Sequence, residues 1–281
     1  MRVKIALQVA AASLMAAACF GATGVAEAGV ALAPHRAVYD LKLLKSHGKR
    51  SVDAVRGRIL YDFTGSACEG YALQFRQVSQ IDSDEGKMAL SDLRAATWED
   101  GDAKLFRFNS ENKVNERIVD TVDGSAGRDD SGVSVKLSKP SPKNFDLDAK
   151  VVFPTEHVRR VIEAAEAGKN VLELSVFDGS ESGDKVFSTL AVIGNVIAPG
   201  EKLPDDAAAG NATLAALKRW PVTISYFDQG AAKTGEQTPA YAIGFELYEN
   251  GISRALSLDY GDFVVSGTMS QLELKDAAAC K

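Results

Sequence analysis

Apolar and polar side chains alternate along most of this chain. Over residues 33–45, Ala37, Tyr39, Leu41 and Leu43 fall on one face, and Arg36, Asp40 and Lys42 fall on the other. A period of two marks a half-buried strand. The pattern returns over 52–63 (Gly57, Ile59, Tyr61, Phe63) and 71–81 (Tyr71, Leu73, Phe75 against Gln74, Arg76, Gln80). It continues over 88–98, 104–109, 113–122 and 133–137. Polar, glycine-bearing stretches at 46–49, 64–70 and 82–86 supply turns between these runs. The acidic stretch 123–130 reads as a solvated loop.

The rhythm first breaks at 154–168, where Val158, Val161, Ile162 and Ala165 recur at steps of three and four. Thr155 is placed to cap the start, Glu156 sits in the first turn and Gly168 stops the run. The spacing predicts a three-turn amphipathic helix laid on the sheet. Strands follow at 171–177 and 186–197, separated by a turn at 178–184. Residues 199–210 read as an exposed loop, Asn211 as the cap of a second short helix over 212–219, and 221–227 as a strand. A polar loop, 229–239, leads into a closing three-stranded meander over 239–274. Its first strand puts Tyr241, Ile243, Phe245 and Leu247 on one face. The Asn250-Gly251 pair that follows predicts a type I′ hairpin. The spacing of strands and turns fits a sandwich, a barrel or a continuously curled sheet. The expected fold class is therefore mainly β, one mostly antiparallel domain with two short helices.

The chain of 281 residues is long enough to bury a substantial core. Its first 28 residues read as an export signal, which leaves 29–281 as the single β domain. Arg2 and Lys4 precede an alanine-rich apolar run, and Ala26-Glu27-Ala28 fits a small-x-small cleavage site. Removing that segment moves the formal charge from −6 to −7. An acidic chain with no basic run is a poor partner for nucleic acid. No later apolar run reaches the length of a membrane span, so the mature product is expected to be soluble and exported.

Cys19 leaves with the signal; the residues around it lack the bulky aliphatic of a lipoprotein signal, because Ala16 stands there. Cys68 and Cys280 remain. Two cysteines in an oxidising compartment usually pair, which makes a structural disulfide the leading expectation. Two free thiols or a redox pair are the alternatives, although a redox pair normally sits as Cys-x-x-Cys.

Candidate chemistry is sparse. His35, His47 and His157 lack the spacing of a zinc site and read as surface or packing residues. Nucleophile-elbow, phosphate-loop and dinucleotide signatures are absent. Residues 178–183 open like a calcium loop, but Thr189 stands where the bidentate Glu is needed. The run from Asp82 fails sooner, with Gly86 at the third ligand position. Neither a catalytic residue, a metal nor a cofactor is expected. The strand aromatics Tyr39, Tyr61, Tyr71, Phe75, Phe106, Phe108, Tyr226 and Phe245 have two readings. They fill the core, or they line the concave face of a curled sheet that holds an acyl chain or a protein segment.

The run 247–252 (Leu-Tyr-Glu-Asn-Gly-Ile) and the run 258–263 (Leu-Asp-Tyr-Gly-Asp-Phe) resemble the closing signature of the EipB family of alphaproteobacterial envelope-integrity proteins. The run 34–41 (Pro-His-Arg-Ala-Val-Tyr-Asp-Leu) resembles that family's first strand, and Cys68 and Cys280 match its cysteines. The resemblance covers the mature chain. It implies a periplasmic protein with one long sheet wound into a spiral, a disulfide across its ends, a role in stress resistance and maintenance of the envelope, and no established enzymatic activity. The spiral is similar to the open barrels of lipoprotein carriers. The resulting expectation is a non-enzymatic periplasmic protein that binds a periplasmic protein or envelope component. The alternative is a lipid or lipoprotein carrier using the concave face; an envelope hydrolase is a third class.

Overall fold

The computed structural model describes residues 30–47, 52–83, 86–202, 204–231 and 237–277. The first meander comprises β1 (His35–Ser46), β2 (Val52–Ser66), β3 (Gly70–Ser83), β4 (Met88–Glu99), β5 (Leu105–Val114), β6 (Arg117–Asp129), β7 (Gly132–Lys139) and β8 (Lys143–Leu147). Helix α1 (Pro154–Glu166) follows. The second meander comprises β9 (Val171–Val176), β10 (Phe187–Ile193), the one-turn α2 (Ala212–Ala215), β11 (Arg219–Asp228), β12 (Tyr241–Tyr248), β13 (Ser253–Asp259) and β14 (Phe263–Leu274).

All fourteen strands among the described residues form one sheet, in the order β8-β7-β6-β5-β4-β3-β2-β1-β14-β13-β12-β11-β10-β9. Every ladder between neighbours is antiparallel. The two meanders are welded where β1 pairs with β14, His35 opposite Leu274 and Ser46 opposite Phe263. The order ends at β8 and β9, so the sheet does not close. Strands this long carry the right-handed twist of L-residues, and a sheet this wide must curl.

Alternation decides which face goes inside. In β1, Ala37, Tyr39 and Leu41 are buried, as the period of two requires. The registers carry the same face across the sheet: Tyr39 opposes Ile59, and Thr97 opposes Phe108. Three apolar clusters result. One joins β2 and β3 to β10, β11 and α1 through Phe63, Tyr71, Ala191, Trp220, Val161 and Ile162. A second joins β1, β2, β13 and β14 to the α2 segment. The third is aromatic and joins β5–β7 to Phe153 and Phe177.

Several local expectations need correction. Residues 123–129 are not a loop but the second half of β6, with Val122 and Ala126 buried. The acidic side chains fall on the outer parity, which hides the strand in a reading by charge. The β5–β6 turn lies at Asn115-Glu116, both left-handed (φ 49° and 66°), later than the break expected at 110–112. Strand β8 is an addition. Helix α1 is laid on the sheet as expected, on a side that its stripe did not specify. It packs inside the curl, with Val161 and Ile162 each 1% exposed. Thr155 does not cap it; Phe153 is the N-cap residue and Pro154 opens the first turn. Its C-terminus is as expected: Gly168 is left-handed, and Lys169 N–H donates to the Ala164 carbonyl.

The other helix, α2, is shorter than expected, because Arg219 already belongs to β11. Asn211 does cap it, accepting from Leu214 N–H at 3.1 Å. The 249–251 hairpin is not type I′. Gly251 has φ 86° while Asn250 stays out of the left-handed region, and Tyr248 N–H donates to the Ile252 carbonyl. That is the three-residue loop with a glycine bulge.

Candidate functional site

The concave side of the sheet is the site that the fold builds. One end is plugged by α1. The buried carboxylate of Glu99, at the end of β4, accepts from Thr155 N–H at 2.7 Å and from Glu156 N–H at 2.8 Å. It thus supplies from a distant strand the cap that the helix lacks locally. Burial pushes the Glu99 carboxyl up to about 7, against the pull of those two donors. The segment after β9 crosses the interior. A Cβ on Gly179 would stand 2.3 Å from the Phe108 ring, and one on Gly183 would stand 2.6 Å from Val122.

The eight strand aromatics divide by depth of burial. Tyr39, Tyr71, Phe106 and Phe108 are buried core residues. Phe106 stacks on Phe108 at 5.2 Å and on Phe153 at 5.1 Å, and Phe177 meets Phe108 edge-on at 5.5 Å. The Tyr39 hydroxyl donates to the Ser253 carbonyl at 2.7 Å. Tyr61, Phe75, Tyr226 and Phe245 also point inward but remain only half-buried. Tyr241 and Ile243 share that state. Tyr61, Phe75, Tyr226, Phe245 and Ile243 pack against the first two apolar clusters and keep part of their surface accessible.

The inward face also carries polar side chains. Tyr226 and Tyr241, paired across β11 and β12, stack at 4.5 Å. Burial raises both phenols, and the neighbouring Asp178 carboxylate adds to the effect. Burial likewise raises Asp178 above the ordinary carboxylate range. Tyr61 is pushed up to about 12 by burial. On the side of β3, the Gln77 amide donates to the Tyr260 hydroxyl at 3.4 Å and so links β3 to the β13–β14 turn across the curl.

The histidines do not assemble. His35 is buried, stacks on Tyr61 at 5.4 Å and has its Nδ1 2.8 Å from the Ala33 carbonyl. His157, on α1, is buried beside Thr189, with Nε2 3.3 Å from Oγ1, and burial lowers it to about 4. His47 is exposed. Among the described residues no group of three His, Cys, Asp or Glu side chains is arranged to hold a metal. The segment 178–184 is a crossing turn, with the Asp178 carboxylate accepting from Ser180 N–H at 2.9 Å. Cys68 sits in the β2–β3 turn, while Cys280 lies outside the described residues.

Two residues were invisible as site builders in the sequence. Glu99 ends a strand and gives no signal that it reaches a helix 56 residues on. Arg254 sits inside the second meander and is buried, bonded to Asp206 Oδ2 at 2.8 Å and Glu246 Oε2 at 2.6 Å. It pins the 199–210 loop, most of whose described residues are exposed as expected, and buries Ala208 within it. The only sequence signal was a basic residue on the apolar parity of a strand.

A single wide antiparallel sheet, curled but open, around a helix, defines a β-barrel-like scaffold. The chain belongs to the EipB-like family, whose model matches residues 26–276. It is 39% identical over 279 residues to the cell envelope integrity protein EipB of Brucella abortus (strain 2308), covering 99% of this chain and 97% of that protein. A crystal structure of a β-barrel-like protein of a domain of unknown function, also from Brucella abortus, superposes with a TM-score of 0.79 at 40% identity. It covers 87% of this chain and 99% of the solved one.

Proposed function

We propose that this chain is a non-enzymatic periplasmic protein that maintains cell envelope integrity by binding a periplasmic protein or envelope component. The observation that carries the reading is the 39% identity, over nearly the whole of both chains, to a cell envelope integrity protein. Export by a signal cleaved after Ala28 belongs to the same reading. No helix among the described residues is long and apolar enough to cross a membrane. The non-enzymatic part is supported by the histidines, two of which are spent on packing.

The reading includes a Cys68–Cys280 disulfide, for which the register provides support. His35 opposes both Phe63 on β2 and Leu274 on β14, so these two strands leave the sheet side by side in the same direction. Flanking strands lie about 10 Å apart. Cys68 is five residues beyond Phe63 and Cys280 six beyond Leu274. Extended segments of that length reach roughly 17–20 Å, which is long enough to span that separation.

The test is a deletion strain challenged with detergent and cell-wall antibiotics. Sensitisation that the cloned gene reverses is expected; growth indistinguishable from the parent under those stresses sinks the reading. The half-buried inward aromatics favour a second reading, a carrier of lipid or lipoprotein. Native mass spectrometry of protein purified from the periplasm separates the two, because a co-purifying acyl species belongs to the carrier alone.

A further inference from the structure

The open sheet leaves a seam between its two edges. Across it the described chain makes a single parallel bridge, Val152 with Val176. There Val152 N–H donates to the Ser175 carbonyl at 2.8 Å, and Phe177 N–H donates to the Val152 carbonyl at 3.0 Å. These bonds fix which backbone groups of β9 face the gap. Ser175 and Phe177 point to it, so by the alternation of an antiparallel ladder Val171 and Glu173 do too. Asn170, on the other parity, has its carbonyl bonded by Ile193 N–H at 2.8 Å. No described residue bonds the main-chain N–H or carbonyl of Val171 or Glu173. They form a short, unpaired sheet edge, the feature to which a foreign strand adds.

A groove of about 480 Å³ runs beside that edge. Ala164 of α1 with Leu172 and Leu174 of β9 gives it an apolar floor, and Val152 closes one end. Its charge is unlike that of the whole molecule. Four cations line it, Arg128, Lys150, Arg160 and Lys169, against the carboxylates of Glu156 and Glu163. Glu156 is shared by Arg128 at 2.9 Å and Arg160 at 3.4 Å, and Glu163 lies 3.8 Å from Arg160. Lys150 and Lys169 make no ion pair with any described residue. The groove is therefore a basic slot in a chain of formal charge −6.

We propose that this seam takes up an extended acidic segment of a partner protein as an added strand along β9. The segment's backbone pairs with Val171 and Glu173. The side chains of the segment that face the groove are apolar opposite Leu172, Leu174 and Ala164 and acidic where they reach Lys150 and Lys169, while the residues between them are small and polar and face outward. The Glu173 side chain has the opposite parity to Leu172 and Leu174, so it points away from the groove. This inference deepens the proposed function by giving its protein partner a site, and it rests on that reading.

The test uses the mature protein and a peptide of sequence fluorescein-Gly-Glu-Thr-Val-Thr-Val-Thr-Glu-Gly-amide, whose glutamates and valines share one face of a strand, followed by anisotropy. Saturable binding is expected. It should weaken at least about tenfold, 1.4 kcal/mol, when alternate peptide amides are N-methylated or when the peptide glutamates become lysines. Glu173→Pro removes an edge N–H that no ladder uses, so the fold tolerates it and binding is lost. Should that variant melt early, the double variant Lys150→Glu/Lys169→Glu carries the test and must also bind at least tenfold more weakly. Absence of saturable binding to the wild type, equal binding of the N-methylated peptide, or wild-type affinity in the double variant overturns the inference. The envelope phenotype of the deletion strain is read independently, so the two proposals fail separately: no phenotype removes the functional reading, and no edge-dependent binding removes the seam.

Discussion

Arg254 shows how much one side chain can organise. The residue is 6% exposed, and its guanidinium joins three acidic groups, Asp205, Asp206 and Glu246, while Arg219 reaches Glu246 at 2.6 Å from the neighbouring strand. Asp206 has a side chain only 1% exposed, and Arg254 is its ion-pair partner at 2.8 Å. Arg254→Ala should therefore cost about 3–5 kcal/mol, because it strands a buried carboxylate. Urea denaturation checks this. Arg254→Lys should recover only part of the loss, since an ammonium lacks the fork that meets Asp206 and Glu246 together.

Two buried ionisable residues make opposed contributions to stability as pH changes. His157 is lowered to about 4 by burial. The unfolded chain takes up its proton near pH 6.5 while the folded chain refuses it until about 4, so stability falls as the pH drops between those values. The loss amounts to up to about 3 kcal/mol. Glu99 is raised to about 7, so the folded state holds a proton that the unfolded state releases above 4.5. Its contribution is present below 4.5 and is lost as the pH rises through 7. Over pH 4.5–6.5 the two partly cancel. Glu99→Gln should steepen the loss of stability on acidification, and His157→Asn should flatten it; melting temperatures across pH 4–7 check both.

The elements were legible where one rule governed them. Period-two runs located β1 to β4, β7 and β9 to β14 to within a few residues, because each has one face on the core and one in water. The misses have specific causes. In the second half of β6 the outward residues are Asp123, Ser125, Gly127 and Asp129 and the inward ones Gly124, Ala126 and Arg128, so no run of large apolar side chains marks the alternation. Helix α1 was found by its stripe, yet its position inside the curl was not, since a stripe does not say which side of a sheet it will meet. Its cap was assigned to Thr155 because capping is ordinarily local, whereas here the acceptor comes from β4. The 178–184 turn was correctly seen as a turn but not as a strut across the interior. Gly179 takes φ 67° with the Phe108 ring against its Cα. Gly179→Ala should destabilise by about 1–3 kcal/mol through overpacking and backbone strain, measurable by urea denaturation.

For the molecule as a whole, the decisive pairing is β1 with β14. It joins the two meanders and brings the chain's described ends together, with Lys275 N–H donating to the Pro34 carbonyl at 2.9 Å. The proposed Cys68–Cys280 bond would lock that junction and close a loop of most of the mature chain. Reducing it, or making the double variant Cys68→Ser/Cys280→Ser, should lower stability by up to about 5 kcal/mol in the chain-entropy picture. Thiol titration of the oxidised, denatured protein should find no reactive thiol in the mature chain.

The sequence by itself determined the strand-rich class, most of the strands, the helix stripe and the candidate cysteine pair. These follow from local periodicity and composition, which act over a few residues. Tertiary structure alone decided which strands became edges, where α1 lies, which aromatics are buried and which stay half-buried, and that a basic slot lies beside an unpaired edge. Each of those depends on the curl of a fourteen-stranded sheet, and curl accumulates from twist over all the strands at once.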